Sequence, residues 1–110
     1  MRYERGDVVI STDPFKDGSS GRPFLLVSTE QTPFHGEQFI AVSLTTRTWY
    51  DDRIPLAEAD WVAGGAPKSS SIMPWSINTL KREWIDTYQG RIHSKLVDRV
   101  TEQVSNYIRE

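Results

Sequence analysis

The sequence predicts a mainly β fold, a small barrel or rolled sheet, capped by one C-terminal helix. Two observations support this prediction. About five or six short runs rich in β-branched and aromatic residues alternate with turns that contain Gly and Pro. The last stretch of the chain instead repeats apolar residues at steps of three and four. A length of 110 residues fits one domain, residues 1–110, around a modest core.

The first two strands are predicted on either side of a loop. Residues 6–11 begin with a turn-forming glycine and continue as a β-branched run. Residues 13–21 are rich in Gly and Ser and predict the loop. Residues 24–28 follow as a short, strongly apolar run, which is typical of a strand that is buried on both faces.

Arg22 lies where this loop meets the second strand. Pro23 restricts its own φ and favours an extended backbone at Arg22, so the side chain is aimed by a rigid strand. A permanent cation at this place suits an anionic ligand, and Lys16 and Ser19 of the loop are candidate contacts to the same ligand. The alternative is a strand-edge arginine that reaches into water.

The middle of the chain predicts one long and one short strand. Residues 39–44 form the third apolar run. Residues 53–56 are predicted as an edge strand, because Pro55 cannot donate to a neighbouring strand. Residues 57–68 are small, Gly-rich and polar, and predict a connection that is anchored by Trp61.

The next elements are interrupted by a proline. Residues 70–80 predict a strand that bends at Pro74 and exposes polar groups in its second half. Residues 81–85 are compatible with one helical turn, and residues 87–92 predict a last short strand.

The C-terminal helix is the clearest prediction. Apolar residues mark one helical face: Ile92, Leu96, Val97, Val100, Val104, Tyr107 and Ile108. Ser94 is a plausible N-cap. Because so small a barrel leaves part of its own surface apolar, this stripe favours a homodimer.

Composition limits the functional classes. The net charge of −2 excludes a global positive field, so any polyanionic partner needs a local group of Arg and Lys. The absence of cysteine excludes disulfides and thiolate zinc sites. No apolar run reaches the length of a membrane span, and the first residues are too polar for a signal peptide, so we expect a cytoplasmic protein without membrane contacts.

Familiar catalytic motifs are missing from the sequence. It has no Gly-rich nucleotide loop and no Gly-x-Ser-x-Gly elbow. His35 and His93 lie in a turn and at the helix entrance without metal-ligand spacing, and no two carboxylates suggest an acid/base pair. We therefore expect no metal and no cofactor.

The remaining candidates are cations and neutral hydrogen-bonding groups near strand ends: Arg22, Thr45, Thr46, Arg47, Ser76 and Asn78. A guanidinium makes two-pronged contacts with phosphate oxygens, and hydroxyl groups donate beside it. The set therefore favours a phosphate or RNA contact site, and more weakly an enzyme. The same residue types are also common in ordinary turns and strand edges.

In their order along the chain, several short motifs resemble the PemK/MazF family of toxin endoribonucleases. They are Arg5-Gly6-Asp7-Val8-Val9, the Gly- and Ser-rich loop, Gly21-Arg22-Pro23, Ile40-Ala41-Val42-Ser43-Leu44-Thr45, Ser70-Ser71-Ile72, Asn78-Thr79-Leu80 and Gln89-Gly90-Arg91-Ile92. Each motif is short, but they follow the family's order, and the resemblance extends along nearly the whole chain.

The resemblance implies an SH3-like barrel that forms a homodimer, cuts single-stranded RNA without metal and is neutralised by an antitoxin. In the family, the 2′-hydroxyl attacks its own phosphodiester and leaves a cyclic phosphate and a free 5′-hydroxyl. The family's catalytic arginine falls on Arg22 and its threonine on Thr45, with Thr46 as the neighbouring candidate. Charge stabilisation is the expected role of the arginine, since guanidinium is a very weak acid.

The sequence departs from the family in its later strand. The family commonly has Gln-x-Arg-Thr where this chain has Ser76-Ile77-Asn78-Thr79, which removes a cation and shortens an amide. The departure supports a second hypothesis, a catalytically weak SH3-like module that binds RNA or protein. Pro74-Trp75 replaces the usual aliphatic pair, and Trp75 either stacks on a base or, as we expect, fills the core.

Overall fold

The structure of the protein, a computed structural model, describes residues 1–12 and 21–110. Lys16 and Ser19 lie outside the described residues. Within this part of the chain, seven strands precede one α-helix: β1 Asp7–Ser11, β2 Arg22–Leu26, β3 Gln38–Thr45, β4 Ile54–Pro55, β5 Trp61–Gly64, β6 Ser71–Lys81, β7 Ile85–Ile92 and α1 Ser94–Ile108. None of the helical segments in these residues is both long enough and apolar enough to cross a membrane.

The strands form one curled antiparallel sheet in the order β4-β6-β3-β2-β1-β7-β5. The predicted mainly β fold with a C-terminal helix is confirmed. β1, β2 and β3 lie in the middle of this order, and each is hydrogen-bonded to a neighbouring strand along both of its edges.

Two hydrophobic clusters cover the two faces of the central strands. In β2, Leu25 belongs to the cluster that includes helix α1, while Phe24 and Leu26 belong to the other. The prediction of a strand buried on both faces is therefore confirmed, although the strand spans Arg22–Leu26 and not residues 24–28. Leu25 has no exposed surface, and burying a side chain of this size contributes about 1.5–3 kcal/mol to folding.

Helix α1 buries the first half of its apolar face in the core. Leu96, Val97 and Val100 are buried, whereas Tyr107 and Ile108 at the far end are exposed. The prediction of Ser94 as N-cap is wrong, because Ser94 already belongs to the helix. His93 is the N-cap: its backbone is extended, and its Nδ1 accepts a hydrogen bond from the Leu96 N–H at 3.2 Å.

The predicted connection at residues 57–68 contains a 3₁₀ turn, Glu58–Asp60, and the edge strand β5. Calling the whole segment a connection was wrong, although Trp61 does pack against the core as predicted. β5 pairs with β7 at Gly90, where an added Cβ would lie 2.5 Å from the Ala63 carbonyl oxygen. Because Gly90 of β7 has no side chain, β5 can approach β7 closely enough to pair with it. The small residues of β5 do not by themselves predict a strand.

Strand β6 bends at Pro74, as predicted. Ser43 of β3 pairs with Met73, but the preceding Val42 pairs with Ile77, so residues 74–76 form a bulge. A bulge suits Pro74 because proline has no N–H to donate to the sheet. A 3₁₀ turn at Arg82–Trp84 then leads into β7, which confirms the helical turn expected there.

Candidate functional site

A cleft of about 460 Å³ opens where β2 begins, where β3 ends and where β6 bulges. Its walls combine an apolar base, polar groups and two aromatic rings. The lining residues are Arg22, Pro23, Leu44, Thr45, Thr46, Arg47, Tyr50, Ser70, Met73, Trp75 and Ser76. Five of the eight residues that we predicted as site residues therefore meet in one cleft.

Arg22 is the first residue of β2 and lies opposite Ser11 of β1. The strands approach closely here: a Cβ added at Gly21 would lie 2.6 Å from Cγ2 of Ile10. Glycine is therefore needed directly before the arginine. The half-buried Arg22 side chain is part of the cleft wall, held at its base by paired backbone.

Thr45 ends β3 and is 9% exposed. Its Oγ1 accepts a hydrogen bond from the backbone N–H of Arg47 at 3.1 Å. A hydroxyl that accepts in this way keeps its own proton to donate. Thr45 thus has an O–H that can donate to a ligand in the cleft, and it also shapes the loop that follows.

Thr46 and Arg47 extend from this strand end into the exposed part of the cleft wall. The Arg47 guanidinium carbon lies 5.1 Å from the ring centre of Trp49, within cation–π range. The contact limits the positions open to an otherwise exposed arginine, and leaves its N–H groups able to bind an anion.

Ser76 and Asn78 share a polar cluster with Ser43, which is buried. Ser76 Oγ donates to Ser43 Oγ at 2.9 Å, and Asn78 Nδ2 lies 3.3 Å from the same oxygen and 3.3 Å from the Ser76 carbonyl oxygen. Ser76 also lines the cleft, whereas Asn78 is not among the lining residues. Asn78 therefore contacts the bulge that shapes the cleft and is not itself part of its wall.

Trp75 projects from the bulge into the cleft and is 37% exposed. The expectation that it fills the core is wrong, because three extra residues in β6 turn this position away from the two hydrophobic clusters. The Trp75 ring contacts Tyr50 with ring centres 5.5 Å apart. Tyr50 in turn contacts Trp49 at 5.8 Å.

The described lining of the cleft is positively charged, although the chain has a net charge of −2. Among the described residues that line it, Arg22 and Arg47 carry charge and none is Asp or Glu. Nor do three His, Asp or Glu side chains come together as a metal-binding group anywhere in residues 1–12 and 21–110. The arrangement can bind an anion, donate hydrogen bonds to it and stack a planar group beside it.

Ser43, which holds the bulge beside the cleft, and Tyr50, which lines the cleft, are among the residues that sequence reasoning missed. Ser43 could have been noticed as one polar residue inside the apolar run at 39–44. Nothing in the sequence indicated that Tyr50 belongs to the site. Its role depends on contact with Trp75, which is distant in sequence and is brought near by the bulge.

Comparisons with known proteins find relatives by structure. No protein-family model and no curated protein matches the chain. MazF from Deinococcus radiodurans matches with a TM-score of 0.78 and 14% identity, covering 100% of this chain and 99% of that one. A mycobacterial endoribonuclease in complex with its cognate antitoxin matches with a TM-score of 0.70 and 20% identity, over 94% and 90% of the two chains.

The Mycobacterium tuberculosis toxin MazF-mt6 also matches, with a TM-score of 0.67 and 16% identity over 93% of this chain and 94% of that one. At such identities the likeness concerns the fold, and it extends along nearly the whole chain. The resemblance in the short sequence motifs and the likeness of the structures agree: the chain has the MazF/PemK-like toxin fold.

Proposed function

We propose that the protein is a toxin-type endoribonuclease that cleaves single-stranded RNA without a metal ion and is neutralised by an antitoxin. The observation that carries the proposal is the meeting of Arg22, Thr45 and Arg47 in one cleft whose described lining includes no carboxylate. This donor set suits the phosphodiester of RNA, since guanidinium groups bind phosphate oxygens in pairs. Structural relatives that are endoribonucleases support the same function.

In the proposed reaction, the 2′-oxygen of one ribose bonds to the adjacent phosphorus while the bond from phosphorus to the 5′-oxygen breaks. The 2′-hydroxyl proton passes to water, and water returns a proton to the leaving 5′-oxygen. The products are a 2′,3′-cyclic phosphate and a free 5′-hydroxyl. Phosphorus passes through a state with added negative charge on its oxygens, which is where positive donors lower the barrier.

Arg22 and Thr45 are the proposed catalytic residues. Arg22 stabilises the charge that develops on the phosphate oxygens, and the Thr45 hydroxyl donates a hydrogen bond to them. Thr46, Arg47 and Ser76 contact the RNA from the same cleft, while Asn78 acts through Ser43 and Ser76. Lys16 and Ser19 remain proposed substrate contacts from the loop before Arg22.

Two protein partners belong to the proposal. The first is an antitoxin: a mycobacterial relative is in complex with its cognate antitoxin, and MazF from Deinococcus radiodurans is in complex with MazE. A small acidic protein encoded directly upstream would fit this role. The second partner is another copy of this chain, supported by the exposed apolar side chains of Ile40, Ile77 and Ile108.

The test is to incubate the purified protein with mixed RNA in EDTA and to map the new ends. We expect cleavage in EDTA that yields 2′,3′-cyclic phosphate and 5′-hydroxyl ends. Because contaminating ribonucleases give the same ends, Arg22→Ala protein purified in parallel is the necessary control. It should lose the activity.

Two results would contradict the proposal. One is cleavage that vanishes in EDTA and returns with magnesium, and the other is cleavage that is equal in wild type and Arg22→Ala. Tight RNA binding without cleavage would support the alternative function of an RNA-binding module, which the departure at Ser76 and Asn78 first suggested.

A further inference from the structure

We propose that Trp75 binds an unpaired nucleobase beside the phosphate in the cleft by stacking, with Tyr50 as its support, and thereby sets the preference for single-stranded substrate. This inference deepens the proposed ribonuclease function and rests on it for the identity of the ligand. Neither the family motifs nor the candidate set of strand-end cations assigns such a role to this aromatic pair.

The first support is the position of Trp75. It lies in the bulge at residues 74–76, which have no strand-pairing partners on β3, and it lines the same cleft as Arg22 and Thr45. More than a third of its surface is exposed, although an indole usually gains by burial. An indole exposed to this extent beside two arginines is accessible to a planar ligand.

The second support is the rigidity of the platform. Pro74 restricts the backbone directly before Trp75. The Tyr50 ring contacts the Trp75 ring, with ring centres 5.5 Å apart and an interplanar angle of 57°. The Tyr50 carbonyl oxygen accepts hydrogen bonds from Arg53 Nη1 at 2.9 Å and from the Arg53 N–H at 3.3 Å. A platform fixed in this way loses little freedom when a base binds.

The ring distances decide where a base can stack. Carbon atoms of two rings in contact lie about 3.5 Å apart, so a base inserted between two parallel rings requires a gap of roughly twice that distance. Neither the 5.5 Å from Trp75 to Tyr50 nor the 5.8 Å from Tyr50 to Trp49 provides it, and both pairs are tilted. A base therefore does not fit between either pair of rings, and we infer that it stacks on a part of the Trp75 ring that Tyr50 does not contact.

The charges around the platform favour RNA over a protein segment. Aromatic residues and Arg recur in protein interfaces too. Here, however, the aromatic pair shares a cleft with Arg22, Arg47 and the Thr45 hydroxyl, so one ligand must offer a phosphate and a planar ring together. A nucleotide does so. In an RNA duplex the bases are stacked internally, which leaves no face for Trp75 and selects single strands.

The experiment measures binding separately from cleavage. The probe is a fluorescently labelled single-stranded RNA in which every ribose carries 2′-O-methyl, because a blocked 2′-oxygen cannot attack the phosphate. Affinity is followed by anisotropy for wild type, Trp75→Ala, Trp75→Phe and Trp84→Ala. Trp84 serves as the matched control, since it is a half-buried indole that contacts Lys81 outside the cleft lining.

We expect Trp75→Ala to weaken binding about tenfold, within the range for loss of one base–aromatic stack. Trp75→Phe should restore most of the affinity, and Trp84→Ala should bind like wild type. In a series of probes, the base is removed from one position at a time. At one position, its removal should weaken binding to wild type by about the same factor and should not weaken binding to Trp75→Ala any further. This pattern requires contact with a base and would not follow from a structural role.

The inference is overturned if Trp75→Ala binds the probe as tightly as wild type, or if wild type does not bind it at all. In the second case, a peptide segment becomes the better candidate for the platform. The two proposals can fail separately. If Trp75→Ala cleaves RNA as fast as wild type does, the ribonuclease proposal stands and the stacking proposal fails. If binding depends on Trp75 but ordinary RNA is not cleaved, the stacking proposal stands and the ribonuclease proposal fails.

Discussion

The side-chain oxygen of Thr45 accepts a hydrogen bond from the backbone N–H of Arg47 at 3.1 Å. One residue therefore both ends β3 inside the cleft and fixes the first turn of the loop that carries Arg47. A donor proposed to act on the phosphate and a cation proposed to bind it are thus positioned together by one side chain.

Replacement of Thr45 by valine should slow RNA cleavage on the order of a hundredfold, because valine keeps the shape but loses the proposed donor. It should also cost about 1 kcal/mol of stability, since the Arg47 N–H loses its acceptor. Thr45→Ser keeps the hydroxyl and should retain most activity. Initial rates on one short RNA, with thermal melts for each variant, give both quantities; equal rates for valine and threonine would remove Thr45 from the reaction.

Arg22→Ala should reduce the cleavage rate by roughly two to three powers of ten, the scale of losing one preorganised donor. Arg22→Lys should recover only part of it, because an ammonium cannot reproduce the planar two-donor guanidinium. Arg2→Ala is the charge-matched control, since Arg2 is largely exposed and pairs with Glu30. If Arg22→Ala and Arg2→Ala cleave alike, Arg22 is only a strand-edge residue.

The double variant Arg22→Ala with Thr45→Val checks whether these residues act on one transition state. Its loss should then fall well short of the product of the two single losses.

The β6 bulge depends on Ser43, whose hydroxyl oxygen lies within hydrogen-bonding distance of both Ser76 and Asn78. Ser43→Ala should destabilise the protein by about 1 kcal/mol, or a Tm decrease of about 4 °C at this chain length. Ser105→Ala, on the exposed face of α1, should leave the Tm nearly unchanged. Differential scanning calorimetry of both variants checks this, and equal melting would show that the cluster adds no stability.

The proposed homodimer predicts a light-scattering mass of two chains at tens of micromolar. Ile77 is 42% exposed and lies on the same sheet face as Val42, which contacts the α1 cluster. Ile77→Arg should therefore shift the protein towards the monomer. Val62, 59% exposed on the edge strand β5, provides the control Val62→Arg. A wild-type mass of one chain would contradict the dimer.

The elements predicted well are those in which local pattern and final environment agree. Residues 24–26 are apolar without alternation and are buried on both faces. In α1, Leu96, Val97 and Val100 repeat at helical spacing and face the core. The bend at Pro74 was predictable, because a proline has no N–H to donate to a neighbouring strand and so interrupts the pairing in any sheet.

The failures concern features that only the tertiary structure decides. β5 has the small and glycine residues of a loop, and it is a strand because Gly90 of β7 lets it approach. Trp75 has the composition of a core residue, but a register shift of three residues directs it into the cleft. The N-cap moved by one residue to His93, whose ring nitrogen accepts the N–H of Leu96.

The part of the candidate site that could be predicted consists of residues at the ends of neighbouring strands. Arg22 at the start of β2 and Thr45 at the end of β3 were each placed by their own strand, and antiparallel pairing brings those ends together. Asn78 could not be assigned in this way, since the wall of the cleft ends at Ser76 and the Asn78 amide contacts Ser43.

Gly21 tests how the cleft is built. An alanine there would place its Cβ 2.6 Å from Cγ2 of Ile10, and 3.3 Å from both Asp86 Oδ2 and the Ser11 carbonyl oxygen. Gly21→Ala should therefore destabilise the protein by about 1–3 kcal/mol through overpacking. Gly65→Ala is the matched control, because nothing lies within 4 Å of an added Cβ at that position.

The cause is tested in the Ile10→Ala background, which removes the methyl group that the new Cβ would meet. Gly21→Ala should cost clearly less stability there, and an unchanged cost would refute steric contact with Ile10 as its origin. Because Gly21 directly precedes Arg22, a backbone that shifts to accommodate the methyl also moves the guanidinium. At temperatures where Gly21→Ala is fully folded, cleavage should therefore still be slower than in wild type, and Ile10→Ala should restore part of the rate.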